Sequence, residues 1–340
     1  MFKVLCRKAV RTAGYCVLML VALWGHGGRA QDTIVLKGVT PWTADYDLSQ
    51  AFFIFSDLVK EKFGDRVQIQ YLGGPEVTQA ANQFAALQNG VFDVILGAAA
   101  YYRGEVPLAA AVQFTTLRPS ELRKSGYFEL MRRIHEQAGA VYLANTSGGN
   151  QFRLYLRKPV EKPDFSGLRL RGSPAQLPMI RALGGSPMSI APDDVYTALE
   201  RNVIDGFGWT YTGIDVYGWQ EVSKYVVNHP FYSLDGAILF SQAAWQRLPE
   251  DVRQGLEDLA PELELRVEAQ MKKKLQEEDK RLAAMGVKFI TFSDEDARYF
   301  LDTAMKAGWE EFLRQNAQAF EKDKGLAEQL QRTGNAAGGT

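Results

Sequence analysis

The feature that most constrains this chain is an alternation of short apolar runs with helical ones from residue 33 to about 248. TIVLKGV (33–39) reads as a strand, and in the next run Leu48, Phe52, Phe55, Val59 and Phe63 recur every three or four residues, one stripe of a helix. VQIQYL (67–72) alternates like a strand until Gly73-Gly74-Pro75 breaks it. A helix is expected over roughly 77–89, ending at Asn89-Gly90, then an apolar strand FDVIL (92–96) and a loop, AAAYYRGEVP (98–107). Residues 119–139 read as one long helix stopped by Gly139, and 140–145, 152–157 and 168–172 as strands. A short helix over 174–184, a strand SPMSI, a helix opened by Asp193-Asp194 and a strand VIDGFGW complete the pattern. Strands and helices in alternation imply an α/β fold with largely parallel sheets.

After about residue 249 the chain turns helical. Pro261 is expected to break or kink this run, because it lacks an N–H and its ring clashes with the preceding turn. Residues 262–285 then form a helix about 35 Å long, at about 1.5 Å per residue, long enough to bridge two domains. VKFITF (287–292) is a late strand, Ser293 with Asp296 resembles a capping box for a last helix, and the tail NAAGGT is expected to be disordered.

The first thirty residues are of another kind. Lys3, Arg7, Lys8 and Arg11 make a basic start, Tyr15 to Trp24 (YCVLMLVALW) an apolar core, and Gly28-Arg29-Ala30 a small-residue cut site. That is the layout of a secretory signal peptide, and its core is too short for a bilayer, which needs about 20 apolar residues. The other reading is an uncleaved N-terminal anchor. Cys6 and Cys16 both lie within 1–30, so a cleaved chain has no cysteine, which suits an oxidising compartment and excludes thiol catalysis and Cys-ligated metals. His26 leaves with them; His135 and His229 are far apart and form no metal motif, and His135, in a helical run, is expected at the surface. Removing five basic residues and no acidic one leaves 34 basic against 40 acidic, a net of −6. Nothing favours nucleic acid, and the dense run KKKLQEEDKR (272–281) has mixed signs, as a solvated helix face does. About 310 remaining residues exceed a single core, so two domains are expected.

No G-x-S-x-G, H-E-x-x-H or P-loop is present, and Gly73-Gly74 and Gly148-Gly149 are isolated pairs. An enzyme here would rely on carboxylates, tyrosines or serines, with nothing marking one pair of them. The arginines carry more. Arg153 (QFRLYLR) and Arg171 (LRLRGSP) sit in apolar strands, and a planar guanidinium pairs best with a carboxylate. A surface charge or an internal salt bridge is the alternative for each. Arg169 and Arg171 lie two apart on one strand, hence on one face, which is costly unless something negative is near. Trp42, Tyr101, Tyr102, Arg171 and Trp209 all end or follow expected strands, where open α/β sheets hold their ligands.

The stretch PDFSGLRLRGSPAQLPMIRALGGSPMSIAPDDVYTALERNVIDG (163–206) resembles the solute-binding proteins of tripartite ATP-independent periplasmic (TRAP) transporters, the DctP type. Their pattern runs Asp-Leu-Lys-Gly-Leu-Lys-Ile-Arg, Ala-Leu-Gly-Ala-x-Pro, then Glu-Val-Tyr-x-Ala-Leu-x-x-Gly-x-Val-Asp-Gly, in the same order and spacing. GPEVTQAANQFAALQNGVFDVILGAAAYYRGEVP, WQEVSKYVV and AAWQRLPEDVRQ extend the resemblance over nearly the whole mature chain.

The resemblance implies an α/β, periplasmic-binding-protein-like two-domain clamshell with a long helix spanning both domains. The expected division is 1–30 signal peptide, 31–150 with about 236–275 as the first domain, 151–235 with about 276–330 as the second, and 331–340 a flexible tail. It also implies a periplasmic protein, not an enzyme, that captures a small carboxylate and passes it to TRAP membrane permease subunits, with no cofactor. The arginine ending the Lys-Ile-Arg motif, which pairs with the ligand carboxylate in the family, matches Arg171; an earlier Phe-Arg matches Arg153, and Arg169 takes the usual Lys position, exposed. Trp209, Tyr101, Tyr102, Trp42 and Glu76 complete the expected ligand-binding set. Many members continue Val-Asp-Gly with Gln-Glu-Asn-Pro; here Phe207-Gly208-Trp209-Thr210 places Trp209 at the Asn. Keto-acid-binding members carry a Trp there with a metal-holding Glu before it, and Gly208 removes that carboxylate, so no metal is expected. Trp209 points to an apolar or planar ligand body. Another uptake or chemosensory binding protein, or an exported α/β enzyme, are the other readings.

Overall fold

The computed structural model of the chain describes residues 33–335. The expected signal peptide over 1–30 lies outside them. Twelve strands occur among the described residues: β1 (Ile34–Val39), β2 (Val67–Gly73), β3 (Val94–Gly97), β4 (Ala140–Asn145), β5 (Gln151–Leu156), β6 (Arg169–Arg171), β7 (Ser186–Met188), β8 (Gly206–Thr210), β9 (Tyr225–Val227), β10 (Phe231–Ser233), β11 (Ala237–Ser241) and β12 (Lys288–Ile290). They form two sheets, ordered β2-β1-β3-β11-β4 and β12-β9-β5-β8-β6-β7, with β10 paired to β5.

The sheets are mixed, not largely parallel. β1 runs parallel to β2 and β3, whereas β11 is antiparallel to both β3 and β4; in the second sheet β5 is antiparallel to β8, β9 and β10. The reason is the path of the chain. It leaves the first sheet through 146–150 and returns through 234–236, and each crossing feeds a strand into a sheet without the helical crossover that parallel neighbours need. The crossings are themselves joined, Thr146 N–H to the Gly236 carbonyl at 2.7 Å and Leu234 N–H to that of Asn150 at 2.8 Å.

The stripe of the first helix, Gln50–Phe63, buries Phe52, Phe55, Leu58 and Val59 on the first sheet. The long helix differs from expectation. It runs unbroken from Glu250 to Ala284, straight through Pro261, about 52 Å at about 1.5 Å per residue. Proline removes one main-chain bond there, and burial of Leu256, Leu259, Ala260 and Leu263 around it holds the turns together. Its first half joins the first sheet: Glu264, buried, accepts from Arg123 Nε at 2.6 Å and Nη2 at 2.8 Å and from Asn145 N–H at 2.9 Å. Its second half joins the other sheet through the ion pairs Arg153–Asp279 and Arg281–Asp215.

Three other local readings change. The expected 119–139 helix is two, Pro119–Leu122 and Tyr127–Glu136, because Gly126 between them takes φ of 89°. Residues 99–102, expected in a loop, form a helical turn. Residues 331–334 of the expected flexible tail end a helix, Leu326–Gly334, anchored by Ser125 Oγ to the Thr333 carbonyl (2.6 Å) and Thr116 N–H to that of Gly334 (3.0 Å). That helix rests on first-sheet neighbours; we otherwise keep the expected division between the two lobes as a proposal. No helix among the described residues is long and apolar enough to cross a membrane.

His135 is fully buried, not at the surface. It faces inward from helix Tyr127–Glu136: Nδ1 donates to the Met131 carbonyl (2.7 Å), leaving Nε2 to accept from the Tyr102 hydroxyl (3.1 Å), with the Tyr142 ring 4.9 Å away. Burial pushes its pKa down to about 4. Above pH about 6.5 the imidazole is neutral in both folded and unfolded chains and has no effect on the balance. Below that, only the unfolded chain takes up the proton, and stability falls until the folded pKa is passed, by roughly 3 kcal/mol in all. The wild type is therefore expected to lose more unfolding free energy than His135→Gln between pH 7 and pH 4 in urea titrations; parallel slopes would place the acid sensitivity elsewhere.

Candidate functional site

Two arginines on the strands that flank β8 meet different fates. Arg153 on β5 is 1% exposed and its guanidinium lies 3.2 Å from the centre of the Tyr211 ring. Nη1 donates to Asp279 Oδ1 at 2.8 Å, and Nη2 to Asn228 Oδ1 at 2.9 Å. Arg171, ending β6, is 7% exposed. Its Nε donates to the Ile190 carbonyl at 2.9 Å and its Nη1 to the Gly208 carbonyl at 3.1 Å, and no carboxylate among the described residues forms an ion pair with it. Burial pushes its pKa down to about 10. A guanidinium has five N–H donors, so two carbonyls leave it both uncompensated in charge and with donors to spare. Arg169, two residues earlier, is exposed and pairs with Asp205 at 3.0 Å.

Arg171 borders a cavity of about 190 Å³ together with Trp42, Tyr101, Trp209, Ile190 and Asp235. These come from both sheets. Trp42 and Tyr46 lie on the loop after β1, Tyr101 on the turn after β3, and Trp209 at the end of β8. The walls are tied to one another: Trp42 Nε1 donates to the Tyr101 hydroxyl at 3.2 Å, and Trp209 Nε1 to the Tyr46 hydroxyl at 3.2 Å, which also lies 3.1 Å from Thr210 Oγ1. The Arg171 guanidinium stands 5.3 Å from the Trp209 ring, within cation–π range. Trp209 is held edge-on by Trp219 (4.8 Å) and Tyr217 (5.7 Å). The result is a largely aromatic cavity bordered by one guanidinium that has no acidic partner among the described residues.

Four of the seven expected residues, Trp42, Tyr101, Arg171 and Trp209, thus share one cavity. Three stand elsewhere. Tyr102 follows Tyr101 by about 100° around a helical turn and faces the first core, stacked on Phe84 at 4.7 Å. Glu76 is exposed and accepts from its own turn, Gly74 N–H to Oε1 at 2.6 Å. Arg153 is committed to Asp279. Sequence reasoning missed Tyr46, Ser173, Gln113 and Asp235. Ser173 was the most accessible, two residues after Arg171 in the quoted motif. Asp235 is buried at the second crossing, accepting from Ala100 N–H (2.7 Å) and Gln113 Nε2 (3.2 Å), and burial pushes its carboxyl above the usual range. A side chain at Gly208 would displace the Gln176 amide, which itself holds Ser173 N–H at 2.9 Å. Among the described residues no group of three acidic or histidine side chains is placed to hold a metal ion.

Comparison with known proteins gives a consistent picture. Residues 40–316 match the family described as bacterial extracellular solute-binding protein, family 7 (DctP). A solute-binding protein of Albidiferax ferrireducens is 24% identical over 280 residues, spanning 77% of this chain and 80% of its own. Among solved structures, a TRAP periplasmic solute-binding protein from Desulfovibrio salexigens, with bound orotic acid, superposes with a TM-score of 0.77 at 21% identity, covering 88% of this chain and all of that one. Another from Roseobacter denitrificans, with bound β-D-glucuronate, gives 0.74 at 19%, covering 87% and 99%.

The two arginines are separable by experiment. Arg153→Met removes a charge-assisted pair from a buried position and is expected to lower unfolding free energy by about 2 kcal/mol. Since Arg153 does not border the cavity, affinity for any bound acid is expected to stay within about twofold, a difference of about 0.4 kcal/mol. Denaturant melts and calorimetry on the same sample check both halves.

Proposed function

Because this chain belongs to the bacterial extracellular solute-binding proteins of family 7, we propose that it captures an organic acid between its two lobes through an ion pair with Arg171 and delivers it to TRAP membrane permease subunits. It is a TRAP-type transport protein of a periplasmic family, not an enzyme. The observation that carries the reading is the buried Arg171 guanidinium with no acidic partner among the described residues. Burying an unpaired charge is strongly unfavourable, and a bound carboxylate removes that cost. A planar carboxylate also matches the guanidinium fork. Export through the signal peptide over 1–30 belongs to this proposal.

The ligand body follows from the walls. Trp42 and Trp209 spend their indole N–H groups on the Tyr101 and Tyr46 hydroxyls, so both indoles present ring faces and edges to the cavity. Such walls favour a flat or apolar body over a polyol. The proposed ligand is a monocarboxylate of that kind, in preference to a sugar acid or short dicarboxylate. The Desulfovibrio neighbour holds orotic acid, a flat ring with a carboxylate, which supports this; the Roseobacter one holds a sugar acid.

Arg171→Met is expected to weaken binding by about 30- to several-thousand-fold, the equivalent of about 2–5 kcal/mol. Arg171→Lys is expected to weaken it too, because an ammonium makes no two-pronged contact, whereas Arg169→Ala leaves it unchanged. A thermal-shift panel of aromatic acids, branched keto acids, sugar acids and dicarboxylates identifies the class, and calorimetry on the best ligand ranks the variants. A greater effect from Arg169 than from Arg171 would overturn the assignment.

A further inference from the structure

The cavity beside Arg171 shares part of its wall with another. A second cavity, of about 360 Å³, adjoins it and shares Ala100, Gln113, Ser173 and Pro174 as common lining. Alone, about 190 Å³ falls below the roughly 300–1,000 Å³ of ordinary small-molecule sites; the two together fall inside that range.

The junction is chemically marked. Ser173 lines both cavities, and its Oγ is buried with no hydrogen-bond partner among the described residues. Its main-chain N–H is already taken by Gln176 Oε1, which fixes the turn. A buried hydroxyl left unpaired is costly, and most buried polar atoms in folded proteins have a partner. Beyond the junction, Phe114 and Phe312 give the second cavity an apolar side, and its rim carries Arg103, Glu311 and Gln315. Arg103 is exposed, and Glu311 is already bonded to Arg314 at 2.7 Å and to Gln315. A rim with both signs of charge does not select a second anion.

We infer that the ligand is elongated: its carboxylate sits on Arg171, its flat body lies along Trp209 and Tyr101, and a neutral tail with a hydrogen-bonding group passes Ser173 into the second cavity. The inference rests on the proposed Arg171 anchor and extends it. Ser173 is then a specificity-determining residue, accepting from or donating to an amide or hydroxyl in the tail.

The test uses the full-length mature protein and two sets of 4-substituted benzoates, one without a tail and one with an amide-terminated tail, measured by calorimetry. Tailed acids are expected to bind at least about tenfold tighter, a difference of about 1.4 kcal/mol. Ser173→Ala is expected to weaken tailed acids by roughly 2- to 12-fold, and by more than it weakens untailed ones. Ala175→Phe, which fills the second cavity from a position outside the first, is expected to abolish the advantage of the tail while sparing the untailed acids; that retained binding also shows the variant is folded. Equal affinity for both sets, or a tail advantage that survives Ala175→Phe, would overturn the second cavity while leaving the Arg171 anchor standing. Binding of untailed acids that ignores Arg171→Met would overturn the anchor, and the inference with it.

Discussion

The structure depends on one rigid element shared by two sheets. Helix Glu250–Ala284 is held to the first by Glu264, which accepts from Arg123 and from the Asn145 main chain, and to the second by Asp279 and Arg281. Glu264 is 1% exposed, and burial pushes its carboxyl upward even beside an arginine. Pairs of this sort gain little net stability, since desolvation offsets most of their attraction. Their effect is positional. They set where the helix stands against each sheet, and hence where the ends of β1, β3, β6 and β8 meet.

That placement decides which arginine is free. Arg153 and Trp209 are direct partners across β5 and β8, and Arg171 lies on the next strand, β6, opposite Phe207. All three are local neighbours on one sheet. The long helix brings Asp279 to Arg153 but no carboxylate to Arg171, which is left with two carbonyls. A buried cation with that environment carries a desolvation cost that no acidic side chain among the described residues offsets. The aromatic wall also draws on both sheets: Tyr46, on the loop after β1, takes the indole N–H of Trp209 at the end of β8.

Some of this was legible early. The strand ends, the Arg171 motif and the glycine before Trp209 are local features, and each constrains the backbone and side chains next to it. The helix stripe of Leu48 to Val59 reports its own burial through its spacing. Other features were misread because distant contacts overrode local preference. Pro261 lowers helix propensity, but apolar burial on both sides outweighs one lost bond. His135 lies on a polar-looking run and is buried because Tyr102 and Tyr142, from two other elements, close over it. Tyr101 and Tyr102 were inseparable as a dipeptide and differ only once a helical turn gives each its own direction.

By itself, the sequence determined the class of fold, the family and the presence of an arginine suited to a carboxylate, because spacing and motif are written in adjacent residues. The tertiary structure alone decided the mixed direction of the sheets, the pairing of Arg153 with a residue 126 positions away, and the exclusion of Glu76 and Tyr102 from the cavity. It also brought Asp235, at the crossing between β10 and β11, and Ser173, after β6, to one cavity. Charge compensation is the physical reason. Whether a buried cation is structural or available depends on which carboxylates reach it, and reach is a property of three-dimensional distance that no local pattern encodes.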